Sequence, residues 1–409
     1  MISYESARAA ILRQLTTVGT VRKNLLDSLG RIAAEDVVAP INLPGFDNSA
    51  MDGFAVRFID AQATMAFSVV GIVHAGEASA PEMQPGTAVR IMTGAPVPAL
   101  CDAVAPFEDV DEDGLTIRVK LGVTLRSGQH IRRAAEDVRQ GDTVIACGTL
   151  LGIAHVCILA ALGCSSVLVY RKPRVAILST GDELVDPGEP LAPGKIYNSN
   201  SLALAAAVIE AGATPVLLGV ARDDHESLKA KLAEGLDADL LLTAAGVSMG
   251  DRDLVRPILL ELGVQPVFWR VEIKPGKVLA FGMRKGKPVI SLPGNPVSAL
   301  VVFEEFVRPA LLKMLGHRRV FKRPVTAVLQ QELRKKPGRV FFSRVRLEYA
   351  DGMLHAWSAG NQDTGALSTM LHTDALAILP ADRATLGIGE PVAVHLLSDK
   401  IEMLKPEDD

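Results

Sequence analysis

The chain has 409 residues, enough for roughly two to four domains with cores of their own. Hydrophobic residues make up 48% and charged residues 22%, which excludes a disordered or collagen-like chain. A formal net charge of −4 excludes a broad nucleic-acid surface, because no domain-wide basic excess exists to neutralise phosphates.

The opening stretch MISYESARAAILRQL carries Glu5 and lacks the basic-then-apolar order of a secretory leader; its patterning predicts a helix. Residues 46–145 hold short β-branched runs (FSVVGIV, TAVRIM, LTIRVKLGVTL) among Gly, Pro and Asp, predicting a small inserted β domain. Its flanks, residues 1–45 and 146–170, are expected to pair in space as a linking domain. Leu150 to Tyr170 contains no Asp, Glu, Lys or Arg, yet GCSS at 163–166 divides it into a helix-length piece and the strand-length VLVY. Each is too short to cross a bilayer, so no membrane role is expected. Cys101, Cys147, Cys157 and Cys164 form no CxxC pair and read as buried thiols in a reducing, cytoplasmic setting, without a disulfide framework or zinc site.

From Arg174 onward, strands and helices alternate. RVAILS, PVLLGV and DADLLLTA read as strands separated by the helices NSLALAAAVIEAGA and DHESLKAKLAEGL. A helix near DLVRPILLELG follows, then strands near PVFWRVEI, VLAFG and PVISL, and a long helix from Pro296 towards Leu315. Continuous apolar strands between helices predict a doubly wound, mostly parallel α/β domain over residues 171–320. Residues 321–409 return to a β texture (RPVTAVLQQEL, RVFFSRVRLEY, ALAILP, PVAVHLL), predicting a second β module of barrel type.

In a doubly wound sheet, ligands bind beyond the carboxyl ends of the strands. Polar loops fall at those ends here: Thr180, Gly181, Asp182 and Glu183; Asp223 and Asp224; Gly246, Ser248, Gly250, Asp251 and Asp253; Lys274, Gly276 and Lys277; and the corner SLPGNPVSALVVF. In that corner Pro293 and Pro296 hold φ near −65°, and Asn295 stands where a helix cap belongs, so the turn is shaped to aim backbone N–H groups at an anion. Each loop also has a plainer reading: a cap at Asp223 or Asp224, a solvated Pro-Gly turn at the lysines, a stiff connection at 293–296. Together, the glycines, Ser248 and the lysines suit phosphate or another oxyanion, whereas Glu183, Asp223 and Asp253 would repel it. A hard cation such as Mg²⁺ reconciles the two sets, being held by one or two carboxylates plus water and substrate phosphates. The histidines are scattered, which argues against zinc, and neither a GxxxxGK phosphate loop nor a helix-opening GxGxxG is present. Two further loops, PGFDNSAMDGFAVR with Asn48, Ser49 and Asp52, and RIMTGAPVP with Thr93 and Gly94, are either structural turns or parts of a site.

Taken in order, NSAMDGFAV, IMTGAPVP, STGDELV, GVSMGDRD, KPGK and LPGNPVSA resemble the molybdopterin molybdenumtransferase family, which includes bacterial enzymes and the gephyrin E domain. The resemblance spans nearly the whole chain and is loosest after about residue 320. It implies an elongated homodimer whose linking domain also dimerises, with each site shared between the α/β domain of one subunit and parts of the other. The implied reaction is insertion of molybdate into adenylylated molybdopterin, dependent on Mg²⁺ and releasing AMP. Residues implied for activity are Asp52, Thr93, Glu183, Asp223, Asp253, Pro293 and Pro296, with Glu183 and Asp223 at the metal and Asp52 and Thr93 supplied by the partner subunit. Ser248, Lys274 and Lys277 are implied contacts of the pterin phosphate and molybdate; Gly246, Gly250, Asn295 and Arg344 complete the substrate-binding set. An adenylyltransferase acting one step earlier is an implied partner.

Two stretches depart from the family pattern. Ala244, Ala245 and Gly246 stand where Ser-Gly-Gly is usual, and Ala135 in RRAAED replaces a common glycine, which bears on ligand approach at 245 if that position needs φ > 0. Other readings are an adenylyltransferase or nucleotide-hydrolysing relative of the same α/β fold, which lack the 46–145 insertion, a tungstate-inserting paralogue, and a scaffold protein.

Overall fold

The computed structural model describes residues 1–77, 81–222, 224–245 and 254–397. The chain forms two compact units, Met1–Val21 with Tyr170–Asp409, and Arg22–Val169.

Helix α1 (Tyr4–Gln14) is capped by Ser3, whose hydroxyl accepts from the Ser6 N–H. Tyr4, Ala7 and Ile11 recur at helical spacing, and all three are buried in one core with Val175, Leu240, Phe306 and Phe342. This apolar stripe places α1 in the first unit, which corrects the grouping of all of residues 1–45 with 146–170. In the other unit, Ile32 pairs with Leu150 and Ala33 with Val169, while residues 37–38 and Leu43 bond to 143–145 and Val138, inside the 46–145 segment.

Between those flanks lies a six-stranded sheet made of β1 (Gly53–Val56), β2 (Ala66–Val73), β3 (Thr87–Ile91), β4 (Ala103–Pro106), β5 (Val110–Asp113) and β6 (Thr116–Val119), in the order β4-β1-β3-β2-β6-β5. Gly53 makes the β1–β4 pairing possible, since a Cβ there would lie 2.1 Å from the Ala105 carbonyl oxygen. The uncharged stretch after Leu150 forms α2 (Ile153–Ala161) and then a strand over Ser166–Tyr170. Among the described residues no helix is long and apolar enough to cross a membrane. Of the cysteines only Cys101 is buried; Cys147 and Cys164 are half-buried and Cys157 is exposed. The expectation of four buried thiols fails; at Cys157 it fails because α2, though largely apolar, buries only Leu159.

In the first unit the strands β7 (Arg174–Thr180), β8 (Thr214–Ala221), β9 (Leu240–Ala244), β10 (Gln265–Phe268), β11 (Ile273–Lys274), β12 (Ala280–Arg284) and β13 (Lys287–Leu292) follow one another. All but β11 form a sheet in the order β8-β7-β9-β13-β12-β10, parallel across its first four strands and antiparallel at β12 and β10. Helix α3 (Ser199–Glu210) covers one face; α4 (His225–Gly235) and α5 (Val255–Glu261) cover the other. Burial on both faces explains the unbroken apolar runs of β7 and β9. The single strand expected over PVFWRVEI is two: β10 stays at the sheet edge, while β11 leaves to pair with the C-terminal module.

The long helix expected from Pro296 is interrupted. α6 (Pro296–Val302) passes through a π-helical turn at Phe303–Val307 into α7 (Arg308–Met314). Pro309 has no N–H to donate to the Glu305 carbonyl, which removes one bond of the regular ladder at this turn. The Glu305 side chain is buried and accepts from the Tyr4 hydroxyl, with the His395 Nδ1 at 2.8 Å.

The C-terminal module contains β14 (Val325–Leu329), β15 (Val340–Ala350), β16 (Met353–Ser358), β17 (Ala375–Leu379) and β18 (Pro391–Leu396). Pairing runs β15-β16-β14-β18-β17 and returns from β17 to β15, so the five strands close into a barrel, with β11 added beside β15. Closure removes the open edges that a small sheet would expose. The expected multidomain α/β architecture, with an inserted β domain and a C-terminal barrel, is the observed one.

Candidate active site

A cleft of ≈ 480 Å³ opens beyond the carboxyl ends of β7, β9 and β13. Each strand delivers a loop to it: Thr180 and Glu183 after β7, Ala245 after β9, and Pro293 to Pro296 after β13. The fourth wall is the start of α3, where Asn198 caps the helix by accepting from the Ser201 N–H and Ser199 and Asn200 begin the first turn. Buried Ser201 and Ser179 share a 2.7 Å hydroxyl hydrogen bond, which ties that helix start to the end of β7.

Glu183 owes its position to Gly181. The glycine has φ +142°, and a Cβ there would lie 2.5 Å from the Glu183 Oε2, so the carboxylate folds over a space that only glycine leaves open. Pro293 and Pro296 bracket the last corner as expected, with Pro296 the first residue of α6. Asn295 stands at the N-cap position but its side chain makes no capping bond. Its amide donates instead to the Thr364 Oγ1 at 2.9 Å, in the barrel module, which corrects the expected cap. On the other side of the corner, the Asn200 Nδ2 donates to the Gly294 carbonyl at 2.7 Å.

Both departures from glycine keep a left-handed backbone. Ala245 has φ 76° and Ala135 has φ 61°, and their N–H groups donate to the Leu292 and Pro44 carbonyls at 3.2 and 2.9 Å. Alanine holds this left-handed geometry at 245 at a cost in strain.

The KPGK turn packs on α6 through Gly276, whose φ is +97° and whose Cβ would lie 2.3 Å from the Val302 Cγ2. Val278 lines the cleft, whereas Lys274 and Lys277 are not among its lining residues; the Lys274 Nζ lies 5.3 Å from the centroid of the Phe341 ring. Arg344, expected to touch molybdate, is 2% exposed. Its guanidinium donates to the carbonyls of Asn361 (2.8 Å), Asp363 (2.9 Å) and Ala366 (3.2 Å) and to the Thr369 hydroxyl. Here it organises the loop that carries Thr364.

Asp223, Gly246, Ser248, Gly250, Asp251 and Asp253 lie outside the described residues. Asp224 is the cap of α4, accepting from the Ser227 N–H at 2.8 Å. Among the described residues no group of three or more His, Cys, Asp or Glu side chains could hold a metal, and Glu183 is the carboxylate lining the cleft.

In the Arg22–Val169 unit the structure brings together Asp52 and Thr93, which are 41 residues apart in sequence. The Asp52 Oδ1 accepts from the Thr93 N–H at 2.7 Å and from its hydroxyl at 2.8 Å, and these bonds hold the carboxyl below its ordinary pKa. Nearby in sequence, Asp47 accepts from the Ala134 N–H and from Arg133, which likewise lowers its pKa. Sequence reasoning missed Asn198, Asn200, Thr364 and Asp47. Only Asn198 carries a local signal, a capping residue ahead of an apolar periodic run.

The family region described as MoeA N-terminal (domain I and II) matches residues 2–163, the probable molybdopterin binding domain matches 176–313, and the MoeA C-terminal region (domain IV) matches 326–397. A molybdopterin molybdenumtransferase of Haemophilus influenzae is 38% identical over 97% of this chain and 100% of its own length. Molybdopterin molybdenumtransferase 2 of Mycobacterium tuberculosis is 36% identical over 96% and 99%. A crystal structure of a molybdopterin biosynthesis protein from Pyrococcus horikoshii superposes with a TM-score of 0.86 at 34% identity, covering 97% of this chain and 99% of that one. With matches of this extent along all of its parts, the chain belongs to the molybdopterin molybdenumtransferase family of transferases.

Proposed function

We propose that this protein inserts molybdate into adenylylated molybdopterin, releasing AMP and forming molybdenum cofactor, with Mg²⁺ as the divalent ion. The observation that carries the reading is the convergence of the β7, β9 and β13 loops and the α3 start on one cleft holding a single described carboxylate. The Asn198 side chain bonds to the Ser201 N–H, leaving the N–H groups of Ser199 and Asn200 free of that cap at a positive helix end. They suit phosphate or molybdate oxygens.

Glu183, with Asp223, would hold Mg²⁺, since that ion takes one or two carboxylates and completes its shell with water and substrate phosphates. When bound, it supplies positive charge between two anionic reactants. Ser248, Gly246, Gly250, Lys274 and Lys277 are assigned to the pterin phosphate and molybdate, and Asp253 to the rim of the ligand. The proline-braced corner fixes the approach of Asn295.

In this reading the active form is a homodimer, and Asp52 with Thr93 completes the site of the other subunit. Support comes from the Arg22–Val169 unit, where Leu26 and Ile153 are each 82% exposed and Leu29 and Leu150 each 53%. The backbone bond from Gly30 to Leu151 sets two of these segments beside each other at the start of α2. Residues 22–45 with 146–169, 46–145, 171–320 together with the α1 segment, and 321–409 are the four parts we assign, and an adenylyltransferase is the enzyme that would deliver the substrate, in the cytoplasm.

The test incubates the protein with adenylylated molybdopterin, molybdate and Mg²⁺, following AMP release and cofactor formation. Both products should appear together, and Glu183→Gln should suppress both. AMP release without molybdenum insertion would replace this reading with nucleotide hydrolysis. Mixing Asp52→Ala with Glu183→Ala chains should restore part of the activity if subunits share sites; no recovery after demonstrated subunit exchange would refute the sharing.

A further inference from the structure

Prolines stiffen the corner at 293–296 from within, but they fix only their own φ and leave open where the corner sits relative to the rest of the cleft. Gly294 and Asn295 at its tip are exposed, so packing does not decide the matter. Two side-chain amides do. Asn295 donates outward to Thr364 of the barrel module, and the Gly294 carbonyl accepts from the Asn200 amide, 94 residues away in sequence.

We propose that Asn200 is a positioning residue for the reaction, a proposal that rests on reading this cleft as the active site. The residue is well placed to transmit rigidity. Its helix start is capped by Asn198, and Ser201 in the same turn is hydrogen-bonded to buried Ser179 at the end of β7. A continuous path thus runs from β7 through Ser179, Ser201 and the first turn of α3 to Asn200 and Gly294, setting the spacing between opposite walls of the cleft. Gly294 faces Ala245 across the cleft, where a Cβ on the glycine would lie 3.2 Å from the Ala245 Cβ. With the tether cut, the corner can relax outward, carrying Asn295 and the first turn of α6 with it. A misplacement of about 1 Å between reacting groups costs on the order of 100-fold in rate. The loss of one neutral hydrogen bond changes an opening equilibrium only about fivefold. A large kinetic effect with a small effect on folding is therefore the signature of this role.

The experiment compares Asn200→Leu, which keeps the side chain's shape without a donor, with Asn200→Gln, which keeps an amide donor on a longer arm. In the assay above, Asn200→Leu should lower kcat at least about tenfold while KM for molybdate changes less than twofold and Tm by less than about 2 °C. Asn200→Gln should recover part of kcat. Hydrogen exchange read by mass spectrometry on the 291–300 segment of the whole protein should be about fivefold faster in Asn200→Leu. A kcat within twofold of the unmodified enzyme, or a loss that Gln does not recover and that follows the folded fraction, would overturn the proposal. Should the unmodified protein form no cofactor, the assigned reaction falls, while exchange still judges the tether: unchanged exchange in Asn200→Leu would show that Asn200 does not hold the corner.

Discussion

Replacing Ala245 with glycine removes one methyl group from a backbone held at φ 76°. An L-residue in that region crowds its own carbonyl, at a cost of about 1–2 kcal/mol. Glycine escapes the crowding, but the greater freedom of its unfolded chain returns about 0.5–1 kcal/mol. The lost methyl takes with it up to about 0.8 kcal/mol of apolar burial. The backbone bond from residue 245 to the Leu292 carbonyl survives, and the balance is near zero. Ala206 supplies the control: it is exposed in the middle of α3, where Ala→Gly carries no compensating release and costs about 1 kcal/mol. Thermal melts under identical conditions should therefore separate the two, Ala245→Gly leaving Tm nearly unchanged and Ala206→Gly lowering it. Equal losses in the two variants would refute the claim that Ala245 is strained.

Gly53→Ala should destabilise the Arg22–Val169 unit by at least about 3 kcal/mol, because the added carbon meets the Ala105 carbonyl oxygen rather than a side chain that could turn away; limited proteolysis and Tm will show it. Arg344→Lys should cost roughly 2–4 kcal/mol, since a single ammonium cannot span the carbonyls of Asn361, Asp363 and Ala366, and an unchanged Tm would contradict that account. Asp239 supplies a pH test. Burial raises its pKa, but the paired bonds from Arg171 at 2.7 and 2.6 Å and the Arg174 N–H outweigh burial, so the folded-state pKa is lowered. The stabilisation is complete above the unfolded carboxylate value of about 3.9 and is lost as pH falls through the lower folded value. Asp239→Asn should accordingly lower Tm at pH 7, and the gap from the unmodified protein should close below pH 4; a gap that persists in acid would count against the ion pair.

What the sequence alone determined was whatever depends on neighbours along the chain. Unbroken apolar runs such as RVAILS and LLLTA read as strands buried on both faces, and the regular return of helices between them indicated a mostly parallel sheet. Parallel strands deliver their carboxyl ends to the same side, so the loops after β7, β9 and β13 share one rim, and Pro293 and Pro296 marked the stiffest of them. Tertiary structure decided the partners, which lie tens to hundreds of residues away and leave no local trace. Asn295 sits where a cap belongs, yet donates to Thr364; Arg344 carries a charge suited to an oxyanion, yet is consumed by four acceptors in a buried loop. Tyr4 joins a core built around Phe306, and Ile273 crosses to the barrel. In each case the backbone pattern permitted several destinations, and the choice fell to whichever distant group could satisfy a buried hydrogen bond or cover an apolar face.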